Sequence, residues 1–372
     1  MYLLAFVTMI VLACQMGSRV LATLLALDLN TSKWTIGLLI ATYSVMPLLL
    51  AVYAGRVADR FGTRRPMVWG CVAIALGLAI PFVFPAVPAL FVSATLIGFG
   101  FVFYNVPTQS LAGQYGPKAE RTRNFATLSL GYSAANLVGP VSTGYLIEWF
   151  DHGIASGVLS VAMLIAVAVL AFSRSLAAPG VSSGAAKPGS SFELLANPEL
   201  RKIIIASAFI VTGWDLFTFY VPIYGYNIHL SPAQIGQILG AFAIGGFVMR
   251  LGLGPLTARF RIRPVLLASM VFGATLYVVF PFIENYLQLL AVAFLVGGAL
   301  GVGQPLTLTM AFNRSPEGRG GEVTGMRLAI NNIAHVTVPV TAGALGSVLG
   351  VAPVFALAAG FLLIGGWMSR KA

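Results

Sequence analysis

Asp215 and Arg19 are the residues of this chain best placed to do chemistry, because each is a charge set inside a long apolar run. Asp215 lies in Thr212-Gly213-Trp214-Asp215 and Arg19 in Met16-Gly17-Ser18-Arg19. A charge at the centre of a membrane helix costs about 2.5–3.5 kcal/mol on insertion scales, so it needs a task. A carboxyl group can carry a proton. A guanidinium stays charged, and can serve as its partner or anchor an anionic solute group. If solute engages Arg19, Asp215 loses its counter-charge and its neutral, protonated form gains. Binding and protonation would then be coupled. The competing account is a static ion pair that locks helices together. His335, in another run, adds an imidazole, the side chain whose charge changes near neutral pH. Its alternative role is an interhelical hydrogen bond.

Other chemistries find no foothold. No Gly-rich loop ending in Lys-Ser or Lys-Thr occurs, so ATP is not expected to drive the protein. Gly297-Gly298-x-x-Gly301-x-Gly303 lies in an apolar run and reads as helix packing. Histidines stand only at 152, 229 and 335, without metal-ligand spacing, and no serine sits in a nucleophile elbow. Cys14 and Cys71 both fall in apolar segments and make no disulfide framework. The expectation is therefore no enzyme, no cofactor and no metal.

Composition says what must surround these residues. The 372 residues are 58% hydrophobic and 9% charged, against roughly 25% charged in soluble domains. Most of the surface must face lipid. The net charge of +11 does not indicate nucleic acid, because the basic residues sit in short breaks between apolar runs.

A bilayer core takes about 20 apolar residues per helix. Spans are expected near 2–27, 34–54, 66–84, 88–112, 124–149 and 154–173, then near 201–226, 232–253, 264–283, 286–310, 323–347 and 350–368. The first is too long and lacks the basic start of a cleavable signal. Outside the spans, Lys33 is the lone Lys or Arg on one side of this map. The rest share the other side with both termini, which places the termini in the cytoplasm. Arg19, Arg250 and Arg327 lie within spans; snorkelling accounts for Arg250. Ser175–Ser191 is rich in Ala, Gly, Ser and Pro and reads as a flexible linker. The expected domains are 1–173, a linker over 174–200, and 201–372.

The two halves repeat weakly. Gly55…Asp59-Arg60-Phe61…Arg65-Pro66 aligns with Gly254…Ala258-Arg259-Phe260…Arg263-Pro264, with one residue deleted; Pro107 aligns with Pro305 and Pro140 with Pro339. The basic stretch Gly55–Arg65, read as a loop between the second and third spans, resembles the Gly-x-x-x-Asp-Arg-x-Gly motif of the major facilitator superfamily. Thr63 stands where a basic residue is usual, and Arg64 and Arg65 keep the charge. Gly139-Pro140-x-x-x-Gly144 is similar to a loose form of the Gly-Pro motif of that family's drug/proton antiporters, with Ala135 in place of a glycine.

The resemblance implies an all-α polytopic fold of about twelve helices in two pseudo-symmetric six-helix bundles, with a solute site between the halves. It implies that Asp215, Arg19 and His335 face a central cavity, and that Tyr104, Asn105, Asn136, Trp214, Tyr220, Gln304, Asn331 and Asn332 help to line it. Gly55, Asp59, Arg60, Gly62, Arg64 and Arg65 would form a gate, with Arg327 pairing with Asp59 or else touching solute. The implied function is secondary transport by alternating access, as proton-coupled export of a small organic solute. Uptake of an organic anion is the alternative, and a receptor or sensor without transport is the different class. The implied setting is a bacterial inner (cytoplasmic) membrane. The partners are solute, H+ and the lipid bilayer, with no nucleic acid, and the protein works as a monomer.

Overall fold

Hydrocarbon offers backbone N–H and C=O groups no hydrogen-bond partner, so apolar runs of this length must form helices. The computed structural model describes residues 1–115, 121–173, 196–314 and 320–370. These form α1 (Tyr2–Asp28), α2 (Lys33–Phe61), α3 (Arg64–Val83), α4 (Val87–Gln114), α5 (Arg121–Trp149) and α6 (His152–Phe172). Then come α7 (Pro198–Asn227), α8 (Pro232–Leu251), α9 (Leu253–Phe260), α10 (Ile262–Val279), α11 (Tyr286–Gly301), α12 (Gly303–Asn313), α13 (Gly320–Leu349) and α14 (Val351–Arg370). Among the described residues, 11 spans are long and apolar enough to cross a membrane, with α11 and α12 counted as one. α5, at 29 residues, also has the length of a span. Its Tyr132, Ser133, Asn136, Ser142 and Thr143 make it more polar than its neighbours. The protein is an all-α polytopic membrane protein.

Polar residues decide where several helices begin. The side chains of Ser32, Asp151, Asn197 and Asn285 accept hydrogen bonds from the first-turn amides of α2, α6, α7 and α11. Each cap satisfies donors that the helix itself leaves orphaned. Two compact units result. α1–α6 together with His229–Gly240 make one; α7 to Ile228 and everything from Ala241 make the other. Residues 174–195, which hold most of the expected linker, lie outside the described residues.

The internal repeat appears as repeated packing. In the first unit α1 packs on α5 and α3 on α4 and α6; in the second α7 packs on α13 and α10 on α11 and α14. Close helix approach needs small residues. A Cβ on Gly139 of α5 would come within 2.5 Å of the Ala13 carbonyl oxygen of α1, and one on Gly297 of α11 within 1.9 Å of the Phe242 carbonyl oxygen of α8. Gly139, from the Gly-Pro motif, and Gly297, from the glycine-rich run, therefore serve helix packing here.

The stretch read as a loop at 55–65 is mostly helix. α2 continues to Phe61, because nothing in Arg56–Phe61 breaks it, and it stops at Gly62, which has φ 78° and ψ 166°. The repeat reproduces this turn with a different residue. α9 ends at Arg261, which has φ 62° and ψ 165°, a region that is essentially the preserve of glycine. The preceding residues match as well. The Arg60 guanidinium lies 5.2 Å from the Phe61 ring centroid, and that of Arg259 lies 5.3 Å from the Phe260 ring. Arg261→Gly is expected to stabilise the protein by about 1 kcal/mol by relieving this strain, seen as a rise in thermal unfolding temperature in detergent. Gly297→Val is expected to destabilise it by about 1–3 kcal/mol, because backbone, not a movable side chain, occupies the space.

Candidate functional site

Polar side chains on α7 and α13 meet along one seam. On α7, Ser207 and Asp215 are eight residues apart; on α13, Arg327, Asn331 and His335 are spaced by four and four. Both spacings keep side chains on one helix face. Three spans lie between the two helices, so they run parallel and the rungs pair in register. Arg327 Nη1 donates to Ser207 Oγ at 3.0 Å and to Gln304 Oε1, from α12, at 2.7 Å. The Ser207 hydroxyl donates onward to Asn331 Oδ1 at 3.5 Å. Two turns along, about 12 Å by helix rise, Asp215 Oδ2 meets His335 Nδ1 at 2.5 Å.

The two ends of this ladder differ in access. Asp215 has a side chain 9% exposed, whereas that of His335 is 37% exposed. The carboxylate is thus nearly enclosed, and its imidazole partner is the more accessible of the two. When Asp215 is ionised it can only accept, so Nδ1 of His335 must carry the proton between them. At the other end Arg327 is buried, and its Nε has no hydrogen-bond partner among the described residues. Among the described residues its partners, Ser207 and Gln304, are neutral, and they solvate its charge with dipoles.

The neighbouring residues support the seam. Trp214 packs against Phe242, with ring centroids 4.4 Å apart, and the Arg250 guanidinium lies 5.8 Å from the Trp214 ring. Arg250 Nε also donates to the Gly301 carbonyl at 2.9 Å. Gly301 ends α11, so Arg250 caps carbonyls left open at the helix break. That differs from the snorkelling expected of it. Tyr220 is buried edge-on to Phe219 and Phe355. Asn332 is half-buried on α13.

The first unit holds the other expected residues. Arg19 donates to Ser44 Oγ of α2 at 3.2 Å, with its guanidinium 5.4 Å from the Tyr43 ring. Tyr104 is fully buried, its hydroxyl 2.8 Å from Thr8 Oγ1. Asn105 accepts from the Tyr132 hydroxyl at 2.5 Å, and Asn136 donates to the Tyr132 carbonyl. Arg64 Nε donates to the Leu170 carbonyl at 2.8 Å, in the last turn of α6, where a cation suits the helix end. Gly55 and Gly62 are half-buried, and Arg60 and Arg65 exposed. The Asp59 side chain, and with it the expected pairing to Arg327, lies outside the described residues. Glu148 accepts from the Ala233 amide at 3.0 Å in the first turn of α8.

Ser207, Ser44 and Tyr132 were not legible as site residues, since small hydroxyls and tyrosines are common in membrane helices. Ser207 had one usable signal, its position two turns from Asp215 on the same face.

Comparison with known proteins agrees with this architecture. A family model described as Major Facilitator Superfamily matches residues 3–228 and 203–371. The chain is 23% identical over 319 residues to a class C tetracycline resistance protein of Escherichia coli, covering 83% of this chain and 79% of that protein. It is 24% identical over 306 residues to a multi-drug resistance efflux pump PmrA homolog of Lactococcus lactis, covering 80% and 75%. Among solved structures, the nucleoside transporter NupG superposes with a TM-score of 0.81 at 12% identity, covering 100% of this chain and 99% of that one. Ser207→Ala is expected to cost about 1–3 kcal/mol of stability, because it leaves buried Arg327 and Asn331 each short of a partner. Thermal unfolding of the purified protein measures it.

Proposed function

The chain belongs to the Major Facilitator Superfamily, and on that footing we propose that it exports small organic compounds by alternating access, driven by the proton gradient. The Asp215–His335 pair is the observation that carries proton coupling. A carboxyl group closed off inside a membrane bundle exchanges protons only through a group that can both take and give one, and imidazole is that group. A proton arriving at His335 passes along the 2.5 Å contact to Asp215 and leaves the pair with one charge fewer on the acid. Loss of that proton restores the carboxylate. The two forms present different charges to a bound solute, which is what couples proton movement to solute movement.

Export is supported by the resistance proteins among the chain's relatives. The setting proposed is a bacterial inner membrane with both termini cytoplasmic, on the one-sided distribution of Lys and Arg, and a monomer as the working unit. The residues facing solute are proposed to include Arg19, Trp214, Gln304, Asn331 and Asn332. Asp59, with the basic residues around Gly62, is proposed to stabilise one closed state.

Uptake of an organic anion is the second reading. One observation favours it: Arg327 is a buried cation without a carboxylate partner among the described residues, which an anionic solute group would complete. The direction of solute flux under an imposed pH gradient separates the two readings.

Asp215→Asn, reconstituted into proteoliposomes, is expected to lose gradient-driven solute accumulation while retaining solute exchange at equal pH on both sides. His335→Asn is expected to slow the coupled flux and flatten its pH dependence. An Asp215→Asn protein whose flux keeps the wild-type dependence on pH removes that residue from coupling.

A further inference from the structure

We propose that the groove formed by α8, α9, α10 and α11 binds one anionic phospholipid, with an acyl chain in the groove and the phosphate on Arg259, Arg261 and Arg263. The groove has a volume of about 510 Å3 and is walled by apolar side chains, among them Met249, Phe260, Phe272 and Leu295. Ser269 is the single polar side chain in the wall, and its hydroxyl is satisfied by the Leu266 carbonyl at 2.9 Å. A polar solute would find nothing to bond there, whereas hydrocarbon fits without loss. The long apolar side chains at its rim are exposed, with Phe260 at 52% and Phe272 at 47%, so the groove opens to the lipid side and an occupant enters from the bilayer.

The headgroup assignment follows from charge. Phe260 and Pro264 line one end of the groove, and Arg259, Arg261 and Arg263 alternate with them in sequence, all three exposed. The Arg259 guanidinium lies over the Phe260 ring, at the rim. No Asp or Glu occurs from residue 216 to 283, nor in α11. The elements around the groove therefore carry basic residues and no acid of their own, and basic clusters beside a membrane attract anionic headgroups. Backbone strain points the same way. The first unit uses Gly62 at this turn, but the second keeps an arginine at φ 62°, so a cation is held where glycine would be cheaper. A strained residue that persists at such a turn points to a task.

Native mass spectrometry of the full-length protein, titrated in detergent with phosphatidylglycerol and with phosphatidylcholine of the same chain length, tests this. One phosphatidylglycerol should bind in preference to phosphatidylcholine. The double variant Arg259→Gln with Arg263→Gln should weaken phosphatidylglycerol binding about tenfold or more and leave phosphatidylcholine unchanged. Arg261→Gly should also weaken it, while raising thermal stability in detergent. Ala268→Trp, which fills the groove, should weaken both lipids. Equal affinity for the two lipids would overturn the proposal. So would an equal loss in the control Arg56→Gln with Arg65→Gln, which removes the same charge elsewhere, or full displacement of the lipid by inorganic phosphate.

Discussion

Asp215 and Arg327 are opposite charges about two turns apart along one helix seam, in a molecule whose lipid-facing surface can solvate neither. Each is solvated instead by side chains of its own bundle. His335 closes on Asp215, and Ser207 and Gln304 close on Arg327. This requirement fixes how α7 and α13 sit. Their polar faces must turn toward each other and stay in register, because a shift by one residue would strand two charges in hydrocarbon. The aromatic packing behind the seam, with Phe217 between Phe242, Tyr277 and Phe280, supplies the rigidity that holds the register.

The two bundles repeat one plan and diverge where charge is placed. α2 in one bundle and α9 in the other end at a turn with the same backbone conformation, preceded by an arginine over a phenylalanine ring. At the turn itself one bundle has Gly62 and the other Arg261, and the acid Asp59 has Ala258 as its counterpart. The first copy therefore keeps the motif's acid, while the second has only cations beside an apolar groove. The same turn thus places different charges in the two halves.

Much of the architecture could be read from residues alone. Apolar runs located the spans, and Pro140 and Pro339 revealed the repeat. The loop motif carried the family. The errors were local. Arg56–Phe61 reads as a loop by its charge yet is helical, because nothing stops a helix there until Gly62. Arg250 reads as a snorkelling cation by its place near a helix end. The carbonyl of Gly301 draws it inward, and that carbonyl is exposed only because α11 breaks at Val302. Ser207 carries no signal in hydropathy at all; its importance comes from the arginine opposite.

By itself the sequence determined that this chain lives in a bilayer, how many times it crosses, and which few residues are too costly there to be idle. Those are properties of composition and period, and the free energy of transfer into hydrocarbon depends on little else. Which polar residue meets which was settled only by tertiary structure. Asp215 finds His335 across 120 positions of sequence, and Arg327 finds Gln304 on a neighbouring helix, because helix rotation and register depend on packing summed over whole bundles. No local pattern encodes that sum, so partners emerge only once the helices are assembled.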